Sequence, residues 1–210
     1  TNAPDGTFCQ QFSMSQIIQY GCIVENSQDG LLQAEFEAIR RGGKWIDPQK
    51  RNQGHGLFYH YKAAWKLIWN DKEHRWFDLS LKSFCEEEIT VLLGCKDSGK
   101  TYGLSCFALI DYWVFPHDTL WMISSTEYRG CEMRIWGDIK KLFNRAKQKF
   151  SWLEGHPLES MHAITTEQID DDREMARSLK TGLILVPCKK GNQYVGLSAF
   201  QGVKAPRLRH

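Results

Sequence analysis

Residues Gly94-Cys-Lys-Asp-Ser-Gly-Lys-Thr101 form an unbroken G-x-x-x-x-G-K-[ST] pattern, and these residue types suit the binding of a phosphate chain. The glycines let the backbone turn with its N–H groups inward. Lys100 supplies a cation for the β- and γ-phosphates, and the Thr101 hydroxyl can hold Mg²⁺. Average residue usage produces such a pattern on the order of once per hundred chains of this length, so the setting must decide. Ile89-Thr-Val-Leu-Leu93 precedes it and reads as a buried strand. A helical stretch follows from Lys100 to about Phe115, ended by Pro116. A loop between strand and helix places the helix N-terminus at the anion. Cys95, Lys96, Asp97 and Ser98 complete the loop. Lys96 is a second cation, either an exposed loop lysine or one that senses or neutralises the γ-phosphate in cis, and Asp97 is expected to face solvent or pair with Lys96.

Phosphoryl transfer also needs an acidic partner at a strand end to hold the metal and orient water. No segment supplies one. Ile110-Asp111 falls inside the helix after the loop, Ser125-Thr-Glu127 lacks the Asp, and Leu183–Val186 runs into Pro187, Cys188 and lysines. His55 and His60 are expected in a Gly-containing loop with no neighbouring carboxylate or cysteine, which is not a metal-ligand pattern. The seven cysteines are odd in number, widely spaced and without a C-x-x-C pair, the usage of reduced thiols. Ala205-Pro-Arg-Leu-Arg-His210 reads as the start of a strand that the sequence cuts short, and the first residue is Thr1. Both suggest a piece of a longer protein.

The elements that must position the loop follow from patterning. The 210 residues, 42% apolar and 25% charged, suit one domain plus a small appendage. A net charge of +2 does not by itself announce a nucleic-acid binder. No apolar run reaches the ~20 residues of a membrane span, and Thr1–Phe12 lack a secretory signal. A helix is expected near Leu31–Arg40, followed by a basic loop from Arg40 to Arg51. Phe58, Tyr61, Ala64, Trp65 and Ile68 mark a second helix. Strands are expected at Thr119–Ser124, Leu183–Val186, Tyr194–Leu197 and from Arg207 onward. Between Glu127 and Phe150 a helical repeat carries Met133, Ile135, Trp136, Ile139, Leu142 and Phe143, with Lys140, Lys141, Arg145, Lys147 and Lys149 on its basic face. The acidic Asp170–Asp172 reads as a solvated loop. Strands alternating with helices indicate an α/β fold, a mostly parallel sheet flanked by helices. It would occupy residues 76–210, after a helical or irregular region over 1–75.

From Ile89 to His210 the sequence resembles the ATPase half of the large terminase subunit, the motor that packages DNA into tailed bacteriophage heads. The resemblance rests on the loop Gly94–Thr101, the block Leu120-Trp-Met-Ile-Ser-Ser-Thr-Glu-Tyr-Arg-Gly-Cys-Glu-Met-Arg-Ile-Trp-Gly, and the end piece Val195-Gly-Leu-Ser with Lys204-Ala-Pro-Arg-Leu-Arg-His. It implies a P-loop NTPase of the additional-strand class that hydrolyses ATP with Mg²⁺ and drives double-stranded DNA into the prohead. An Asp-Glu strand and a nuclease domain would lie beyond His210. Implied partners are the portal protein, the small terminase subunit and copies of the chain in a homo-oligomeric, pentameric ring. The implied location is the host cytoplasm, transiently on the prohead. Such loops often place a basic residue early, where Lys96 stands. Arg129 and Arg134 are candidates for the arginine that acts on a neighbouring subunit. The family's upstream adenine-contacting glutamine is not evident, and Trp76 and Phe77 either stack on the base instead or lie buried in the core. Other classes remain open at this stage: another P-loop helicase or translocase, or a non-hydrolysing nucleotide-binding module. The 210 residues alone are expected to hydrolyse ATP far more slowly than an assembled motor.

Overall fold

The computed structural model describes residues 27–43, 56–95, 98–125, 135–159, 162–167, 179–187, 189–190, 193–194 and 207–209. The chain forms two compact units, Thr1–Lys100 and Thr101–His210.

In the first unit, helix α1 (Gln28–Arg40) starts where the Ser27 hydroxyl accepts the Gly30 N–H. Asp29 in its first turn and Arg40 in its last suit the helix dipole. Helix α2 (Leu57–Ile68) buries Tyr61, Ala64, Trp65 and Ile68, the spacing of one helical face. Helix α3 (Phe77–Glu86) went unread in the sequence because it buries only Phe77 and Leu81, a single pair four residues apart. The Phe77 ring packs on Trp65 at 4.4 Å between centroids. His60 lies within α2 and its Nδ1 meets Glu35 of α1 at 2.7 Å, which corrects the expectation that it has no neighbouring carboxylate; His55 lies outside the described residues. Of the expected basic loop, Arg40 lies in α1, Arg41 binds Glu37 and Gly42 and Gly43 turn the chain at positive φ; residues 44–51 are outside the described residues.

The expected buried strand Ile89–Leu93 requires a correction. The segment has no ladder partner among the described residues, and Ile89, Val91 and Leu93 are 82%, 74% and 92% exposed. Apolar, β-branched composition favours extended backbone, but a strand exists only where another strand takes up its hydrogen bonds.

Helix α4 (Lys100–Val114) runs from the loop into the second unit. From Ser105 to Val114 every residue is buried, as in a helix apolar all round. Strand β1 (Thr119–Ser125) follows. Helix α5 (Gly137–Lys149) buries Ile139, Leu142, Phe143 and Ala146; Met133 and the earlier part of the expected repeat lie outside the described residues. Then come β2 (His156–Leu158), β3 (Ala163–Thr165), β4 (Gly182–Pro187) and β7 (Arg207–Arg209), with the short pair β5 (Lys189–Lys190) and β6 (Gln193–Tyr194) between the last two. The main sheet has the order β2-β3-β4-β1-β7. β1 pairs in parallel with β4 and β7, whereas β3 pairs antiparallel with both β2 and β4. The fold is therefore α/β with a mixed open sheet, not the mostly parallel one expected. β2 and β3 are three residues each, too short for an alternating pattern to be legible. Gly182, at φ +130°, crosses the edge of β3 so closely that a Cβ would stand 2.5 Å from the Ile164 carbonyl oxygen, a site for glycine alone.

No helix among the described residues is long and apolar enough to cross a membrane.

Candidate functional site

In the loop, the ammonium of Lys100 donates to the carbonyl oxygens of Gly94 (2.8 Å) and Cys95 (2.6 Å) and to the Ser98 hydroxyl (2.7 Å). An ammonium has three protons, so all are used by the loop itself. Gly94 makes room for this closure. A Cβ there would lie 3.1 Å from Ser98 Oγ and 3.4 Å from Lys100 Nζ. Gly99 has φ +77°, and the side on which a Cβ would project is covered by His74, whose Cγ would be 3.1 Å away. His74 Nδ1 accepts the Trp76 N–H at 3.4 Å. His74 was missed in the sequence, where it belongs to no motif and lies far upstream of Gly99.

Of the two aromatic candidates for base stacking, Phe77 is withdrawn: it is buried against Trp65 in the core of the first unit. Trp76 is about half exposed, with the Arg75 guanidinium 4.9 Å over its ring. Cys95 is an exposed free thiol, and Thr101, the first residue of the second unit, is exposed. Lys96, Asp97, Arg129 and Arg134 lie outside the described residues. Among the described residues no group of three or more His, Cys, Asp and Glu could hold a metal.

Within the second unit, Asp111 is fully buried and serves structure. Arg207 of β7 clasps it in a two-pronged contact at 2.6 and 2.7 Å and also binds the Thr119 hydroxyl at 3.0 Å. The Trp121 indole N–H donates to the same carboxylate at 2.8 Å, and Arg209 Nε stands 3.8 Å from it. The Arg207 guanidinium also covers the Phe115 ring at 4.3 Å. The chain reverses at Phe115–Thr119, and Phe107 and Asp111 of α4 both meet Trp121 of β1. α4 thus runs antiparallel to β1, and its N-terminal end points toward the carboxyl ends of β1, β4 and β7.

The basic face of α5 is narrower than its sequence suggests. Lys140 binds Glu159 at 2.9 Å, and its hydrogen bond holds that carboxyl below its ordinary range against the opposing effect of burial. Lys147 donates to the carbonyls of Ser151 and Leu153 beyond the helix end. Lys141, Arg145 and Lys149 are exposed and spaced four residues apart along one stripe, with the Lys149 ammonium 5.4 Å over the Phe150 ring.

Comparison with known proteins yields no match: no family model fits the chain, and no curated protein or solved structure is significantly similar to it.

Proposed function

We propose that the chain binds ATP with Mg²⁺ at Gly94–Thr101 and acts as the ATPase portion of a DNA-translocating motor of the terminase type. The observation that carries the reading is the complete loop pattern leading directly into α4, with the Lys100 ammonium gathered inside the loop. An ammonium in the loop can serve as the cation for a phosphate chain, and the start of a helix favours an anion. Thr101 would hold Mg²⁺ and Lys96 would add a second cation. Arg129 and Arg134 are the proposed arginines acting on a neighbouring copy, and Trp76 is the proposed contact to the base. The P-loop fold class, the portal and small-subunit partners, the ring and the duplex DNA substrate belong to this proposal through the sequence resemblance.

A second reading, a nucleotide-binding module without hydrolysis, is favoured by one observation. Among the described residues, Asp111 is the buried carboxylate nearest in sequence to the loop, and it is committed to Arg207.

Calorimetric titration with Mg-ATP tests the proposal. The chain should bind, and Lys100→Ala should lose most of the affinity, since it removes the phosphate cation. Equal binding by both proteins refutes the assignment. Steady-state phosphate release separates the two readings: turnover supports the ATPase, and binding without turnover the module.

A further inference from the structure

We infer that Ser98 sets the nucleotide affinity of the loop by holding Lys100 in a self-plugged state; the inference rests on the nucleotide reading above. In this state the cation has no proton left for a phosphate, because Gly94 O, Cys95 O and Ser98 Oγ take all three. A phosphate oxygen can gain a charge-assisted bond to Lys100 only when one of these contacts is given up. The two carbonyls belong to the loop backbone and move only with it. The Ser98 hydroxyl sits on a single rotatable bond and is the contact that can be released at least cost. It is also the most enclosed of the three, since Ser98 is half-buried whereas the two carbonyl contacts are exposed.

A competent conformer that is only fractionally populated weakens apparent affinity by that fraction. Removing the hydroxyl therefore shifts Lys100 toward the competent arrangement. The direction is opposite to that of a lost ligand contact, so the result is diagnostic. The same competition acts on any phosphate chain, with or without a base.

The experiment titrates the whole chain, Ser98→Ala and Ser98→Thr with Mg-ATP and, separately, with inorganic tripolyphosphate, and records a melting curve for each protein. Ser98→Ala is expected to bind both probes about three- to tenfold more tightly, the scale of one ordinary net hydrogen bond. Ser98→Thr, which keeps the hydroxyl, is expected to bind like the unsubstituted chain. Unchanged or weaker binding by Ser98→Ala, at an unchanged melting temperature, overturns the inference while leaving the nucleotide reading intact. Failure of the unsubstituted chain to bind either probe overturns the nucleotide reading and this inference together.

Discussion

At Gly99 two demands meet in one residue. The backbone sits at φ +77°, and the direction a side chain would take is occupied by the His74 ring. A left-handed conformation costs a non-glycine residue roughly 1–2 kcal/mol, and the contact with His74 adds to that. Gly99→Ala should therefore lower Mg-ATP affinity by about tenfold or more. Combining it with His74→Ala should restore the steric part and leave the backbone part. Calorimetry on the single and double variants checks both. The glycine was legible in the sequence because the motif names it. His74 was not, because a contact between distant residues leaves no mark in local spacing. Core burial was a legible reading for both Trp76 and Phe77, but which of them is buried was hidden: adjacent aromatics look alike until one of them finds Trp65.

Helices α1, α2, α4 and α5 were readable because each buries a run of apolar side chains at helical spacing or, in α4, on all sides. Strands β1 and β4 were readable as apolar runs. β2, β3 and α3 were not, since two or three buried residues carry no period. The segment Ile89–Leu93 shows the converse, an apolar run whose composition suits a strand but which pairs with nothing described. Two element-scale predictions follow from contacts the sequence could not show. The first concerns Asp111, which ties α4, β1 and β7 together. Asp111→Ala leaves Arg207 without its buried partner and should cost about 3 kcal/mol in urea unfolding, while replacing both residues by leucine should recover much of the loss. The second concerns the cluster of Lys62, Lys66 and Glu73 beside Asp78. The hydrogen bond from Lys66 holds the Glu73 carboxyl below its ordinary value against burial, helped by Lys62. A carboxyl lowered on folding contributes stability above its ordinary pKa of about 4.3 and loses it as pH falls through the lower folded value. For Lys62, burial pulls downward, but Asp78 and Glu73 outweigh it and raise the ammonium above its ordinary value. Its contribution holds below about pH 10 and fades as pH rises through the raised value. Glu73→Gln should accordingly lower the melting temperature at pH 7 and have no effect at pH 2.

For the molecule as a whole, a net charge of +2 gives no bulk attraction to a polyanion, so any grip on duplex DNA must be local. The stripe Lys141, Arg145 and Lys149 offers three cations spaced about 6 Å apart along α5. Replacing all three by glutamate should weaken duplex binding for every sequence alike and lower the dependence on log salt by about three. Fluorescence anisotropy across a salt series measures this, and an unchanged slope removes the stripe from the interface. The central claim is nucleotide binding at one loop. Hydrogen–deuterium exchange along the chain, with and without Mg-ATP, tests it most directly because it reports where the ligand acts. New protection is expected at the amides of residues 94–101 and the first turn of α4, abolished in Lys100→Ala. Unchanged exchange in that loop at saturating Mg-ATP, or protection confined to other segments, would contradict it.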